Sequence, residues 1–541
     1  MKFMKLGTRA DTFYTEEATR TVISDVPSDI TIRINNITYL LHKYPLLPKC
    51  GLLQRLFSEF DDSSTNVNLD LHEIPGGEEA FELCAKFCYG ITINLSAHNF
   101  VSAFCAAKFL RMTEAVENGN FIMKLEAFFS SFILEGWKDS IVALQNTERV
   151  YDWSENLGIV RRCIESIVDK ILTSPTKVTW SYTYTRPGYD KKRHQMVPKD
   201  WWTEDISFLN IDMFRCIVAA IKSTNMLQPQ LVGEAIHVYA SRWLPDITES
   251  RPNEEAYSQA EDSSNRKQKI LEMLVNLIPA DKGSVSVKFL LKLLRIANFL
   301  AVNSATKAEL FRLSGLQFEE ASLNDLLQQT FNDVDLVKTV LESFLRQWKR
   351  QTHESQSIRS ICKIGKLIDS YLQVIAKDVN LPVQKFAFLA ETIPGIARPN
   401  HDDLYMAINT YLKEHPDLSK TEKKQLCRIL DCQKLSPEVR GHAVRNENLP
   451  LRTVVQVLFF EQEKGSSTTN KKQISPDEQS HKARGNRTAD KLQLKAEPSL
   501  KIREVTVPEM EKERQIREEG ASRIQLNSRE KALVRRISEE S

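Results

Sequence analysis

At 541 residues the chain exceeds what one hydrophobic core organises, and its length suggests roughly two to four domains. Lys+Arg 73 against Asp+Glu 71 leave a formal charge of +2, so no global field draws the chain to nucleic acid, and any basic function has to come from a local cluster. Nine cysteines without framework spacing, and no apolar run approaching the roughly 18 residues of a bilayer span, exclude a disulfide-built scaffold and a membrane-spanning protein.

Residues 1–27 begin with basic and apolar residues but lack the apolar centre of a signal peptide. They read as an N-terminal segment with Lys2 and Lys5 in solvent, on a protein of the reducing cytoplasm. From Ser28 the pattern becomes mixed α/β. Ile30, Ile32 and Ile34 alternate with polar residues, Asn35 and Asn36 supply a turn, and Ile37, Tyr39 and Leu41 resume the alternation, which predicts a hairpin. Val67, Leu69 and Leu71 predict a third strand, and Pro75-Gly76-Gly77 breaks the chain before a helix carrying Ala80, Phe81, Cys84 and Cys88. Further helices run over Phe100–Leu110 and Phe121–Phe132. An α/β domain is thus expected over 28–130. Cys84 and Cys88 lie one helical turn apart, but His72 and His98 do not complete a zinc spacing, so buried thiols are expected and no metal. His42 has no nucleophile partner in sequence and reads as structural.

Residues 131–199 are expected to form a helical bridge and linker. Trp137, Ile141 and Leu144, then Leu157, Val160, Ile164, Ile167 and Ile171, recur at helical spacing. The segment 174–199 loses periodicity and mixes tyrosines with Lys191, Lys192, Arg193 and His194. Such a mixture can clamp a single strand by stacking, yet no regular element holds a groove there, so a flexible linker and no nucleic-acid partner are predicted. From Asp200 to Gln462 one all-helical domain of repeated αα hairpins is expected, with helices over 216–221, 231–243, 270–278, 287–300, 325–327, 334–344 and 361–376. Residues 247–269, charged and poor in apolar side chains, read as a disordered insertion.

The domain closes on a chain of short helices. Leu404, Ile408, Tyr411 and Leu412 form one apolar face before Pro416. Ser419 with Glu422 three residues on is a capping box, and Pro437 and Pro450 occupy the first helical position of two further helices. Val454, Val455, Leu458 and Phe459 are expected as the last buried face. His415, Cys427, Cys432 and His442 match no zinc spacing, and Tyr405 and Tyr411 read as core tyrosines with bonded hydroxyls. Residues 463–541 read as a disordered tail without a heptad repeat, so no coiled coil is expected; near its end Arg535 and Arg536 precede Ser538 in the arrangement that basophilic kinases select. No phosphate-binding loop, nucleophile elbow or H-E-x-x-H occurs, so neither enzyme nor cofactor is predicted.

The order of residues is more specific than these patterns. SDITIRI, LHKYPLL, AFELCAKFCYG and NFVSAFCAAKFLRMTE resemble a BTB/POZ domain. DWWTEDISFLNIDMF, NLIPADKGSVSVKFLLKLLRIANFL, TYLKEHPDLS, LCRILDCQKLS, HAVRNENLPLR and VVQVLFFEQ resemble the plant phototropic-response family typified by non-phototropic hypocotyl protein 3. The resemblance implies an α/β BTB/POZ domain followed by an all-helical domain, acting as a non-enzymatic adaptor of a cullin-3 ubiquitin ligase in light- or auxin-related signalling. Cullin-binding BTB domains carry an apolar residue, any residue, then Glu before the third strand; here Phe60, Asp61 and Asp62 stand there, with Asp in place of Glu. The resemblance further implies pairing with itself or a related BTB protein, near Phe13, Tyr14, Val22 and Ile23. It also implies a phototropin-like AGC kinase client, 14-3-3 binding at phosphorylated Ser538, and a peripheral position at the plasma membrane. The other reading is a polarity scaffold at that membrane that recruits no ligase.

Overall fold

The computed structural model describes residues 2–58, 67–187, 189, 196–246, 257–330, 333–350 and 355–469. Among the described residues of the first hundred lie seven strands: β1 (Phe3–Leu6), β2 (Phe13–Glu16), β3 (Thr19–Val22), β4 (Ile30–Ile34), β5 (Ile37–Leu41), β6 (Val67–Asp70) and β7 (Ile93–Ser96). The expected hairpin is β4–β5, antiparallel from Ile30 opposite Leu41 to Ile34 opposite Ile37. Its two-residue turn needs a left-handed conformation, which Asn35 adopts at φ 52°. Strand order is β2-β3-β5-β4-β6, with β3 parallel to β5 and β6 parallel to β4. The alternating residues Ile30, Ile32, Ile34, Tyr39 and Leu41 are buried. They pack under the helix Gly77–Tyr89, where Tyr39 meets Phe81 edge-on at 4.9 Å and its hydroxyl donates to the Glu78 carbonyl at 3.0 Å.

The N-terminal segment is a correction to the sequence reading, for it is built into the sheets. β1 pairs antiparallel with β7, and the β2–β3 hairpin extends the main sheet. Val22 is buried, while Tyr14 and Ile23 remain exposed. These strands are only four residues long, and β1 pairs with a partner far along the chain, so local periodicity carries little trace of them.

Helices Phe100–Phe109 and Phe121–Phe128, the latter continued by a wider turn over Phe129–Ile133, complete the α/β domain. Phe100 stacks on Phe104 at 5.5 Å and on Phe129 at 4.9 Å. The bridge helices Trp137–Asn146 and Ile159–Leu172 follow and pack on each other.

From Ile211 to Thr469 the described residues form helices joined by short connections. Helix Ser304–Leu316 packs on Val334–Trp348, which packs in turn on Val383–Thr392, and Ser355–Ile375 packs on Asp402–Glu414, so each helix meets the next but one. Local signals set the ends. Asn210, Ser286, Asn303, Asp333 and Ser436 each accept a backbone N–H of the first turn, and Ser419 with Glu422 forms the expected capping box. Close helix approach is made at Gly233, where a Cβ would overlap the Ser284 carbonyl. Asp369 and Arg398, both buried, pair at 2.6–3.0 Å, and Arg398 also donates to the Ala390 carbonyl at 2.6 Å, tying helix Ser355–Ile375 to the chain beyond Thr392.

Three further expectations change. The charged insertion is shorter than 247–269: a helix begins at Tyr257 and runs to Leu277, while 247–256 lie outside the described residues. The final helix, Leu451–Thr469, starts after Pro450 rather than at it, and extends beyond residue 462. Its buried side is also different, since Thr453 and Val457 are buried whereas Val455 and Phe459 are 55% and 57% exposed. That helix is apolar nearly all round, so periodicity alone does not choose the face that packs. The same helix takes in the first seven residues of the tail expected over 463–541, and residues 470–541 lie outside the described residues.

Buried His401 closes this architecture with a pH dependence. Its Nδ1 accepts the Asp431 N–H at 3.1 Å, so the ring must be neutral at that atom, and the backbone N–H of His401 donates to the Lys434 carbonyl. Desolvation, then the charges of Lys434 and Arg398, lower its pKa to about 4. The unfolded chain binds this proton near pH 6.5, so between roughly pH 6.5 and 4 protonation favours unfolding, and the stability present above that window is lost as pH falls. Urea unfolding of the full chain at pH 7 and pH 4 is expected to show His401→Gln losing less stability on acidification than wild type, by on the order of 3 kcal/mol. Equal losses in the two proteins would contradict this.

Candidate functional site

On the α/β domain, an open groove of about 440 Å³ runs between the end of helix Phe100–Phe109 and helix Phe121–Phe128, lined by Lys108, Thr113, Ile122, Met123, Glu126 and Ser130 among others. Met123 is 47% exposed, a large apolar side chain on a helix whose Phe121, Leu125 and Phe128 are buried. The groove is held from both ends. Asn120, 1% exposed, caps the second helix by accepting the Phe121 N–H at 2.7 Å, and its amide donates to the Lys49 and Thr113 carbonyls at 3.0 and 3.1 Å. The Glu114 carboxylate accepts the Gly119 and Asn120 N–H groups, fixing the rim. At the far side Arg162 of the bridge pairs with Glu126 at 2.6 Å and lies over the Phe129 ring at 4.4 Å.

Lys49 leads into helix Gly51–Ser58, whose first amides bond the Arg111 and Leu110 carbonyls at the groove's edge. Gly51 lets this happen, since a Cβ there would press on Val116 and the Arg111 carbonyl at 3.0–3.1 Å. The segment after Ser58 carries Phe60, Asp61 and Asp62, the residues singled out from the sequence, and lies outside the described residues, as do Arg535, Arg536 and Ser538. The groove itself was missed in the sequence; the one signal was the pair Ile122-Met123, which cannot both face one core.

Next to this domain, the segment expected as a flexible linker is an anchored strap. Glu204 and Asp205, 7% and 6% exposed, stand side by side at the entry to the helical domain. Asp205 accepts the Trp137 indole N–H at 2.7 Å and the Thr183 N–H at 3.0 Å; Glu204 accepts the Thr185 N–H at 2.8 Å and its hydroxyl at 3.0 Å. Arg186 pairs with Asp200 and Glu234, each at 2.8 Å. Trp137, Trp180 and Tyr182 all set their rings edge-on against Trp201. A strap whose hydrogen bonds run from backbone to buried carboxylates leaves no periodic pattern, which is why it read as linker. The basic cluster 191–194 lies outside the described residues.

The cysteine and histidine candidates have structural places. Cys84 and Cys88 are buried, Cys88 with its Sγ 3.7 Å from that of Cys50, and burial pushes the Cys84 and Cys88 thiols up. His42 bonds the Tyr89 hydroxyl at 3.0 Å and the Val26 carbonyl at 2.8 Å. His415 reaches the Tyr411 and Asp378 carbonyls, His442 meets the Tyr405 hydroxyl at 2.7 Å, and burial pushes the Cys427 thiol up to about 11. Tyr405 and Tyr411 are core residues with bonded hydroxyls, as expected. Among the described residues no three His, Cys, Asp or Glu side chains gather to hold a metal ion, and no helix is long and apolar enough to cross a membrane.

Comparison with known sequences agrees with this architecture. The profile of the NPH3 family matches residues 200–439. The chain is 58% identical over 479 residues to the BTB/POZ domain-containing protein At5g47800 of Arabidopsis thaliana, an alignment covering 86% of each chain. The chain belongs to the NPH3 family. It is also 39% identical to the Phototropic-responsive NPH3 family protein NPY1, with 91% of this chain and 88% of the relative covered, and 36% identical to Root phototropism protein 3, with 85% and 77% covered, both from Arabidopsis thaliana. No solved structure matches the chain. The N-terminal α/β region is consistent with a BTB domain and the helices beyond it form the NPH3 domain, in a protein related to plant phototropic-response proteins.

Proposed function

We propose that the chain is a non-enzymatic adaptor whose BTB domain docks cullin-3 and whose NPH3 domain holds a client for ubiquitination, in cytoplasm bordering the plasma membrane. The observation that carries this reading is the groove at Met123, an open site between helix Phe100–Phe109 and the Asn120-capped helix Phe121–Phe128, in a domain whose sequence also carries Phe60 and Asp62. A helix from a partner buries apolar anchors in such a groove. The exposed Tyr14 and Ile23 on the edge hairpin support pairing of two BTB domains, of this chain or of this chain with a relative. The client is a signalling kinase of the phototropin-like AGC class. Purified full chain and the N-terminal domain of cullin-3 are expected to form a complex of two adaptors with two cullin fragments. Met123→Asp and Phe60→Ala should each weaken it by roughly 1 to 3 kcal/mol without lowering the melting temperature. Absence of binding by wild type at micromolar concentration would overturn the ligase role and favour a polarity scaffold without a ligase.

We further propose that Ser538 is phosphorylated and then bound by 14-3-3 proteins, with Arg535 and Arg536 supplying the basic approach that the kinase reads. Phosphate adds about −1.5 to −2 charge beside the two arginines, which weakens any hold on acidic lipid and shifts the protein from membrane to cytosol. Peptides covering Ser528 to Ser541 should retain 14-3-3 only when phosphorylated; equal retention of both forms would refute this.

A further inference from the structure

Glycine inside a helix costs stability, so each one calls for a neighbour that needs the space. Gly233, Gly315 and Gly365 have such neighbours: a Cβ on any of them would run into another helix or its connection, at the Ser284 carbonyl, the Ser343 hydroxyl and the Ala397 carbonyl. Gly441, inside helix Pro437–Val444, has none. A Cβ there would meet nothing within 4 Å. It instead borders an open cleft of about 630 Å³ whose walls include Lys413, Glu438, His442, Arg445 and Glu447.

Glu438, Gly441, His442 and Arg445 follow at i, i+3, i+4 and i+7 and therefore lie along one face of the helix. The acid stands at one end and the arginine at the other, about 10 Å apart at 1.5 Å per residue. None of Lys413, Glu438, Arg445 and Glu447 forms an ion pair among the described residues, although all four border the cleft. Between the two ends, His442 is held in place. Its Nδ1 meets the Tyr405 hydroxyl at 2.7 Å, and Tyr405 is fixed in turn by the Asn446 amide at 3.1 Å, which also bonds Asn409, itself 3% exposed, at 2.8 Å. Its other ring nitrogen has no partner among the described residues and is free for a ligand's backbone.

We propose that this cleft binds an extended peptide segment of a partner protein that carries one basic and one acidic side chain three residues apart. The spacing follows from the helix face, because about 10 Å is spanned by three residues of an extended polyproline II segment at roughly 3.1 Å each, whose threefold repeat brings side chains three apart to the same side. The basic residue meets Glu438, the acidic one meets Arg445 with Lys413 beside it, and the peptide backbone passes over Gly441, where a side chain would hold it off. The inference does not rest on cullin binding.

Selection of random heptapeptides displayed on phage against the immobilised full chain tests it. Wild type is expected to enrich opposite charges three positions apart, in one order, at least about tenfold over the unselected pool. Gly441→Leu should abolish the enrichment, and the double variant Glu438→Arg with Arg445→Glu should enrich the reverse order. No such enrichment on wild type, the same peptides on Gly441→Leu, or an unchanged order on the double variant would each overturn the proposal. Thermal melting guards against a folding defect. Gly441→Ala is expected to melt at or above wild type, and a lower melting temperature would show that the glycine serves internal packing and would overturn the assignment.

Discussion

Two adjacent buried carboxylates, Glu204 and Asp205, set the terms for how the halves of this protein meet. A carboxylate removed from water is costly unless donors replace its hydration, and here the donors come from elsewhere in the chain: the Trp137 indole from the bridge, and the Thr183 and Thr185 amides from the strap. The NPH3 domain therefore begins with a charge requirement that only the BTB-side bridge and the strap together satisfy. Trp201, ringed by Trp137, Trp180 and Tyr182, excludes water from the same place. Hydrogen bonds to charged groups in such a setting are worth roughly twice neutral ones.

The consequence is mechanical. The groove at Met123 is linked through Glu126 and Arg162 to the bridge helix Ile159–Leu172, which packs against Trp137–Asn146, and Trp137 bonds directly to the helical domain. Side-chain bonds thus tie the bridge both to the groove on the BTB side and to the first turn of the NPH3 domain. The glycines of the stacked helices beyond and their buried Asp369–Arg398 pair are spent on close packing, and the cleft at Gly441 stands out because its glycine is not.

Much of this was legible where the determining physics is local. The β4–β5 hairpin could be read because Asn35-Asn36 and the alternation flanking it act within a dozen residues, and the capping box at Ser419 and Glu422 because both bonds close within one turn. The family resemblance over both domains was equally readable, since runs such as HAVRNENLPLR carry word order that periodicity discards. What escaped was non-local. β1 finds its partner β7 some ninety residues away; the strap is ordered by carboxylates that it does not itself contain; and the last helix, apolar nearly all round, gives no sign of which side faces helix Pro437–Val444 rather than solvent. The groove at Met123 was invisible for the same reason, because exposure of one methionine depends on where two other helices stop.

The central claim is that the buried carboxylates make the bridge, the strap and the NPH3 domain one cooperative unit. Native-state hydrogen exchange on the full chain, comparing wild type with Asp205→Ala, tests it most directly. Loss of this acceptor is expected to speed exchange at the Thr183 amide and the Trp137 indole, whose bonds it removes, at least about tenfold, since each lost bond to a charged group is worth roughly 1.5 to 3 kcal/mol, and cooperativity carries a faster exchange to the Thr185 amide held by the neighbouring Glu204. Unchanged protection at all three sites would contradict it.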